Sequence, residues 1–171
     1  MISPDTAGMF ARYNRWCNER LYDAAAELSD ADFTADRGVF FGSMMGTLNH
    51  LLVTDRIWMK RFTGRGEAPA TLDAILFEAL APLRAARRAE DERIIAWIDS
   101  LSESDLAATF TYQPVTNPRD ITQPLSPALS HLFNHQTHHR GQAHAILTGL
   151  KRSAPSFDMI AFQRETGIGM G

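Results

Sequence analysis

Four long segments carry apolar residues at the spacing of amphipathic helices, and this pattern is what most constrains the fold. These segments cover residues 5–28, 44–62, 83–101 and 126–150. Ser43 is a suitable N-cap for the second segment, Gly64 follows its end, and Pro82 fits the first turn of the third. Because the connections are brief, the helices bury their apolar stripes most simply against one another. We therefore predict an all-α four-helix bundle.

Shorter elements are predicted between and after the long helices. Residues 109–112 alternate polar and aromatic side chains, and residues 121–123 follow a turn signal as a partner strand. This pattern predicts a small β-hairpin inserted before the fourth long helix. We also expect short helices near residues 72–81 and 158–164, with a frayed tail after the second of these.

Charged residues on two of the helices call for different interpretations. The mixed-sign run from Arg84 to Arg93 is typical of a solvated helix face, on which Arg87 and Asp91 form an i,i+4 pair. Asp55 instead falls inside the apolar stripe of the second helix. A carboxylate there needs a partner such as an arginine, a histidine N–H or a tyrosine hydroxyl. Two roles stay open for Asp55: support of a functional site, or a structural ion pair.

Length and composition restrict the class of protein. The 171 residues fit a single domain, placed here at residues 1–171. Seventeen lysines and arginines against twenty acidic residues give a net charge of −3, which disfavours a nucleic-acid-binding module. Cys17 is the single cysteine, so an intrachain disulfide is excluded, and we interpret it as a buried, inert thiol in a reducing compartment. The sequence shows neither a bilayer-spanning apolar run nor a secretory signal, so we expect a cytoplasmic protein without membrane partners.

Histidines are distributed unevenly, since five of the six lie between His131 and His144 on the fourth predicted helix. At about 100° per residue, His135 and His139 point most directly toward the apolar stripe. His131 and His138 lie on the flank of that stripe, and His144 points away. Two neutral imidazoles at i,i+4 spacing can share one divalent metal ion, so His135 and His139 are the strongest metal-binding candidates.

The segment from His135 to His139 matches the zincin pattern H-E-x-x-H, except that Gln136 replaces the glutamate. Glutamine cannot act as the general base of a metalloprotease. The metal-binding spacing is therefore retained, whereas peptidase chemistry is excluded. Arg140 and Gln142 adjoin the pair but point elsewhere on the helix, so structural roles are expected for both. Gly141 is expected to permit close approach of another helix.

His50 is the remaining histidine and lies on the second predicted helix. Catalytic metal sites usually have three protein ligands and one open position, and His50 is a candidate for the third ligand. Its angular position is at the border of the buried face, which suits either a ligand facing a cleft or a half-exposed structural histidine. Trp58, eight residues later, is interpreted as a core residue, although it could also wall a pocket.

Three segments together resemble the DinB/YfiT-like family, and the resemblance covers nearly the whole chain. They are YNRWCNER at residues 13–20, LNHLLVTDRIW at residues 48–58 and NHQTHHRGQ at residues 134–142. Members of that family are four-helix bundles that bind a divalent metal through one histidine of the second helix and an H-x-x-x-H pair of the fourth. The resemblance implies that His50, His135 and His139 are metal ligands. It also implies a homodimer.

The resemblance further implies a divalent-metal-dependent enzyme, with zinc or nickel as the metal, since imidazole ligands suit several first-row ions. Relatives of the fold include thiol S-transferases, so we expect transfer of a low-molecular-weight thiol to a small electrophilic substrate. Catalysis would rely on a water or thiol activated by the metal. Two alternatives stay open, namely a metal-binding stress-response module without turnover and a metal-dependent hydrolase.

Overall fold

The computed structural model describes residues 2–170, so Met1 and the last residue of the predicted C-terminal tail lie outside the described residues. The elements are, in chain order, α1 (Pro4–Ala26), α2 (Asp30–Thr34), α3 (Met44–Thr63), α4 (Leu80–Ile98), α5 (Glu103–Ala107), β1 (Thr109–Tyr112), β2 (Ile121–Pro124), α6 (Leu125–Gly149) and α7 (Met159–Thr166). None of the helices in this range is long and apolar enough to cross a bilayer.

The predicted four-helix bundle with a hairpin before its last long helix is confirmed. Helix α1 packs against α4 and α6, and α3 packs against the same two helices. Strands β1 and β2 pair antiparallel, with Thr109 opposite Pro124 and Tyr112 opposite Ile121. Ser43 caps α3 by accepting a hydrogen bond from the amide of Gly46, and Gly64 ends that helix in the left-handed conformation.

The helix predicted at residues 72–81 is wrong, since residues 71–79 form turns and bends and α4 begins only at Leu80. Tertiary contacts replace the helical hydrogen bonds of this segment. The Asn49 amide oxygen accepts from the backbone N–H groups of Leu76 and Phe77, and its NH₂ group donates to the Phe77 carbonyl. A side chain that satisfies backbone groups in this way competes with a local helix. The two five-residue helices, α2 and α5, were not predicted, and serines cap both.

A buried polar layer crosses the bundle between two apolar clusters, and all four long helices contribute to it. The cluster at one end includes Leu48, Leu83 and Leu147, and the one at the other end includes Met59, Ile94 and Leu129. The layer consists of the buried residues Asn14, Asn18, Asp55, Arg87, Asp91, Gln136 and Arg140. We call it the polar layer.

Arg87 is the cation at the centre of the polar layer, and it forms ion pairs with Asp55 at 2.7 Å and with Asp91 at 3.0 Å. Asn18 donates a hydrogen bond to Asp91, and Gln136 donates one to Asp55. The expectation that Asp55 needs a partner is confirmed. The interpretation of Arg87 and Asp91 as solvated is wrong, because both are only 2% exposed. Their i,i+4 spacing is also found on surface helices, and only the buried Asp55 on α3 distinguishes the two cases.

Two single-residue interpretations have opposite outcomes. Cys17 is fully buried, as predicted, and burial raises the pKa of its thiol, which keeps it protonated and unreactive. Gly141 is exposed, and a Cβ atom at this position would have no heavy atom within 4 Å. The expected close helix approach at Gly141 is therefore wrong.

Removal of the Arg87 charge tests the importance of the polar layer. In Arg87→Met, Asp55 and Asp91 stay buried without their cation, so we expect the free energy of unfolding to fall by ~3–5 kcal/mol in urea. Arg88→Met changes an exposed neighbour on the same helix and is expected to alter it by less than ~0.5 kcal/mol. A loss below ~1 kcal/mol in Arg87→Met would contradict the central role of this arginine.

Candidate metal centre

The structure brings together the three histidines that the sequence singled out. His50 comes from α3, whereas His135 and His139 lie one turn apart on α6. One ring nitrogen from each residue can be chosen so that all three lie within 4.8 Å of one another. We call these three residues the histidine group. Its members are compatible with binding of one metal ion.

His50 is oriented by the loop that precedes α4. Its Nδ1 atom lies 2.8 Å from the Leu72 carbonyl oxygen, which can only accept, so Nδ1 carries the proton and donates. Nε2 is left with its lone pair directed toward the other histidines. The Phe41 ring stacks on the imidazole with 3.6 Å between ring centroids. These contacts bury His50, which helical angles alone placed at the border of the buried face.

His139 is oriented in a similar way from its own helix. Its Nδ1 atom donates to Oε1 of Gln142 at 2.9 Å, so that its Nε2 is also free of hydrogen. Such hydrogen bonds from the remote nitrogen fix the tautomer and ring orientation of metal-binding histidines. A purely structural role was expected for Gln142, whereas its side chain contacts a member of the histidine group. The i,i+3 spacing from His139 was the available signal for this contact.

His135 completes the group, and its Nε2 atom lies 3.2 Å from Nε2 of His50. Two ligand nitrogens in a tetrahedral shell with metal–nitrogen bonds of ~2.1 Å would be ~3.4 Å apart. Two imidazole lone pairs at such a distance repel unless a proton or a cation lies between them. The buried Nδ1 atom of His135 has no hydrogen-bond partner within residues 2–170. The distance between the two Nε2 atoms fits a cation held by this nitrogen set.

Burial controls the protonation state of the histidine group. It lowers the pKa of His50 to about 4, and it lowers that of His135 to about 3 with a smaller contribution from the neighbouring imidazoles. Burial also lowers the pKa of His139, although the hydrogen bond to Gln142 opposes this shift. All three imidazoles are therefore neutral at pH 7, the form that metal coordination requires.

The remaining histidines follow the angular prediction. His131 and His138 are exposed on the flank, with their rings 5.8 Å from His135 and 4.7 Å from His139, respectively. His144 is turned away and contacts Phe157 instead. Phe41 was missed as a neighbour of the group, because a loop residue brought onto His50 by tertiary folding carries no periodic signal in the sequence.

Gln136, which replaces the zincin glutamate, does not belong to the histidine group. Its amide nitrogen donates to the Leu51 carbonyl at 3.1 Å and to Asp55, and its side chain is fully buried in the polar layer. The position that holds the general base in a zincin is used here to join α6 to α3. The exclusion of peptidase chemistry on the basis of residue type therefore agrees with the direction of this side chain.

Four long helices, a hairpin before the last of them and three facing histidines define a helical-bundle protein with a candidate metal centre. The model of the DinB family matches residues 2–170, and the chain belongs to this family. Protein DinB of Bacillus subtilis (strain 168) is 24% identical over 172 residues, which cover 95% of this chain and 97% of that protein. The crystal structure of a DinB-like protein from Bacillus cereus ATCC 10987 superposes with a TM-score of 0.65 at 16% identity, and covers 86% of this chain and 94% of that one.

The neutral, buried histidine group should make the stability of the metal-free protein depend on pH. An unfolded chain protonates its histidines near pH ~6.5. The folded values are lower, about 4 for His50 and about 3 for His135. Below pH ~6.5 the unfolded chain therefore binds more protons than the folded protein does. As the pH falls, the free energy of unfolding decreases by up to ~1.4 kcal/mol per pH unit for each such histidine.

Urea unfolding of EDTA-treated protein between pH 6.5 and 4.5 measures this dependence. The wild type is compared with His135→Asn. Carboxylates elsewhere contribute equally to the pH dependence of both proteins, so the difference between the two slopes isolates the contribution of His135. We expect a shallower loss of stability on acidification in His135→Asn than in the wild type. Equal slopes would show that His135 is not held neutral by the fold.

Proposed function

We propose that this protein is a divalent-metal-dependent enzyme that transfers a low-molecular-weight thiol to a small electrophilic substrate, with the metal held by His50, His135 and His139. One observation carries the proposal: three neutral imidazoles offer nitrogens within 4.8 Å of one another. Three histidine ligands leave an open coordination position, as catalytic sites require.

Zinc or nickel is the proposed metal, because imidazole nitrogens suit both ions. Bound to the histidine group, such an ion supplies Lewis-acid chemistry that lowers the pKa of a thiol or water molecule in contact with it. In the proposed transfer, the thiol sulfur forms a bond to the acceptor carbon. The leaving group departs with the electron pair of its own bond, and the thiol proton is lost to water.

The residues of the chain orient and shield the group. The hydrogen bonds from Nδ1 of His50 to Leu72 and from Nδ1 of His139 to Gln142 hold both rings with Nε2 directed inward. Phe41 covers one face of His50 and touches His139 edge-on, so it excludes water from that side. The exposed His131 and His138 lie next to His135 and His139, respectively, so we propose that a substrate approaches the group from their side of α6.

The proposal also covers the domain organisation, oligomeric state, location and partner of the protein. The match of the family model to residues 2–170 supports a single domain over residues 1–171. A homodimer and a cytoplasmic location are proposed on the resemblance and on the single, buried cysteine. A small molecule is the proposed partner, because His50 and His139 are buried where α3 and α6 pack against each other.

Elemental analysis tests the metal site. Wild-type protein purified without chelators is expected to contain close to one equivalent of a divalent metal, and the double variant His135→Ala/His139→Ala is expected to lose it, because a single imidazole remains. The control is His144→Ala, on the same helix but outside the group, and it should retain the metal. A metal-free wild type, or a double variant that keeps its metal, would refute the assignment.

A thiol panel tests the reaction. Metal-loaded protein is incubated with low-molecular-weight thiols and 1-chloro-2,4-dinitrobenzene, and formation of the thioether is followed by absorbance. We expect conjugation that EDTA abolishes and that re-added metal restores. Metal binding without conjugation of any thiol would favour the non-catalytic module. Metal-dependent cleavage of generic esters without conjugation would favour the hydrolase.

A further inference from the structure

An arginine without a carboxylate partner among residues 2–170 lies on the face of α3 that also carries His50. Arg61, near the end of α3, lies ~20° around the helix axis from His50 and three turns further along, on the same face. Its side chain is half-buried and pairs with no carboxylate among residues 2–170. Burial lowers the pKa of the guanidinium, so its positive charge is poorly compensated by water.

Aromatic rings hold this guanidinium in place. It lies 4.6 Å from the ring centre of Trp58 and 4.7 Å from that of Tyr112 in strand β1. One N–H group donates to the Gln113 carbonyl at 3.0 Å. A guanidinium has five N–H donors in a planar fork that matches a carboxylate, so most of its donors remain available. The aromatic contacts fix its direction and reduce the entropy lost when an anion binds.

A continuous row of rings leads from Arg61 to the histidine group. The Trp58 ring lies 5.2 Å from that of His131, and the His131 ring lies 5.8 Å from that of His135. Two rings alone thus separate the guanidinium from a proposed metal ligand. A flat molecule laid over the Trp58 and His131 rings with its acidic end at Arg61 would point its other end along this row toward the histidine group.

We infer that Arg61, with Trp58, Tyr112 and His131, forms a subsite for the carboxylate of a flat organic acid whose other end extends along this row of rings toward the histidine group. Its assignment as a substrate subsite rests on the proposed function, whereas binding of the acid does not. The electrophile is therefore an unsaturated or aromatic carboxylic acid rather than a neutral compound. A half-buried charge-assisted pair of this kind favours the anion over a neutral isostere by about tenfold.

The test compares 3-nitrobenzoate with 3-nitrobenzamide, two flat molecules of similar size that differ in charge. Binding is followed by quenching of tryptophan fluorescence, and Trp58→Phe identifies the part of the signal that comes from this site. Both the purified protein and the EDTA-treated protein are titrated, because a carboxylate could also bind a metal ion. We expect the wild type to bind the benzoate about tenfold more tightly in both forms.

Variants assign this preference to the guanidinium. Arg61→Gln is expected to bind both probes equally, and Arg61→Lys, which keeps the charge without the planar fork, should retain part of the preference. The matched control is Arg56→Gln on the same helix, ~140° around the axis from Arg61, and it should bind as the wild type does. Circular dichroism confirms that each variant is folded.

The inference is overturned if the wild type does not prefer the benzoate, a result that needs no variant. It is also overturned if the preference survives in Arg61→Gln, or if it exists only in the metal-containing protein, since the acid is then held elsewhere. A role of Arg61 limited to fixing the hairpin on α3 would lower stability without changing the ratio of the two affinities. Retention of the preference in a protein that never conjugates a thiol would refute the proposed function and leave the subsite intact.

Discussion

The ion pairs between Arg87 and the two carboxylates of Asp55 and Asp91 are the interaction on which the rest of the structure depends. If this layer were apolar, the four helices could slide or rotate with only a small loss of stability, because the packing of aliphatic side chains is adaptable. Buried charges tolerate no such change, since each must keep its partner. Arg87 therefore fixes α4 against α3, and Asn18 extends the same constraint to α1 through Asp91. The polar layer thus joins the four helices through partners that a change of register would separate.

The same constraint reaches the histidine group through a single residue. Gln136 donates hydrogen bonds to Asp55 and to the Leu51 carbonyl. It directly follows His135 and precedes His139 by three residues. Since one α-helical residue corresponds to ~100° of rotation, fixing Gln136 in the core also fixes the direction of both histidines. The polar layer and the candidate metal centre are thus adjacent parts of one arrangement between α3 and α6. Rigid support of this kind is what a site needs to hold ligands at fixed distances.

Periodicity predicted much of this from the sequence, and tertiary contacts explain what it missed. The long helices, the hairpin and the inward direction of His135 and His139 follow from local patterns that the fold preserves. Burial of Arg87 was not predictable in this way, because its i,i+4 partner is equally typical of a surface. The segment at residues 71–79 has apolar residues suited to a helix, but the side chain of Asn49 binds its backbone. The stacking of Phe41 on His50 joins a loop to a helix and has no sequence signal.

Two consecutive residues of α3, Asn49 and His50, bind the backbone of the segment before α4, one at Leu76 and Phe77 and the other at Leu72. The segment at residues 71–79 and the ring orientation of His50 are therefore fixed by the same two adjacent residues of α3. The amide hydrogens of Leu76 and Phe77 are bonded to the neighbouring asparagine, so their exchange with deuterated solvent reports on how firmly the loop is held. Protection of these two amides therefore shows whether the segment that accepts the hydrogen bond from His50 remains bound to α3.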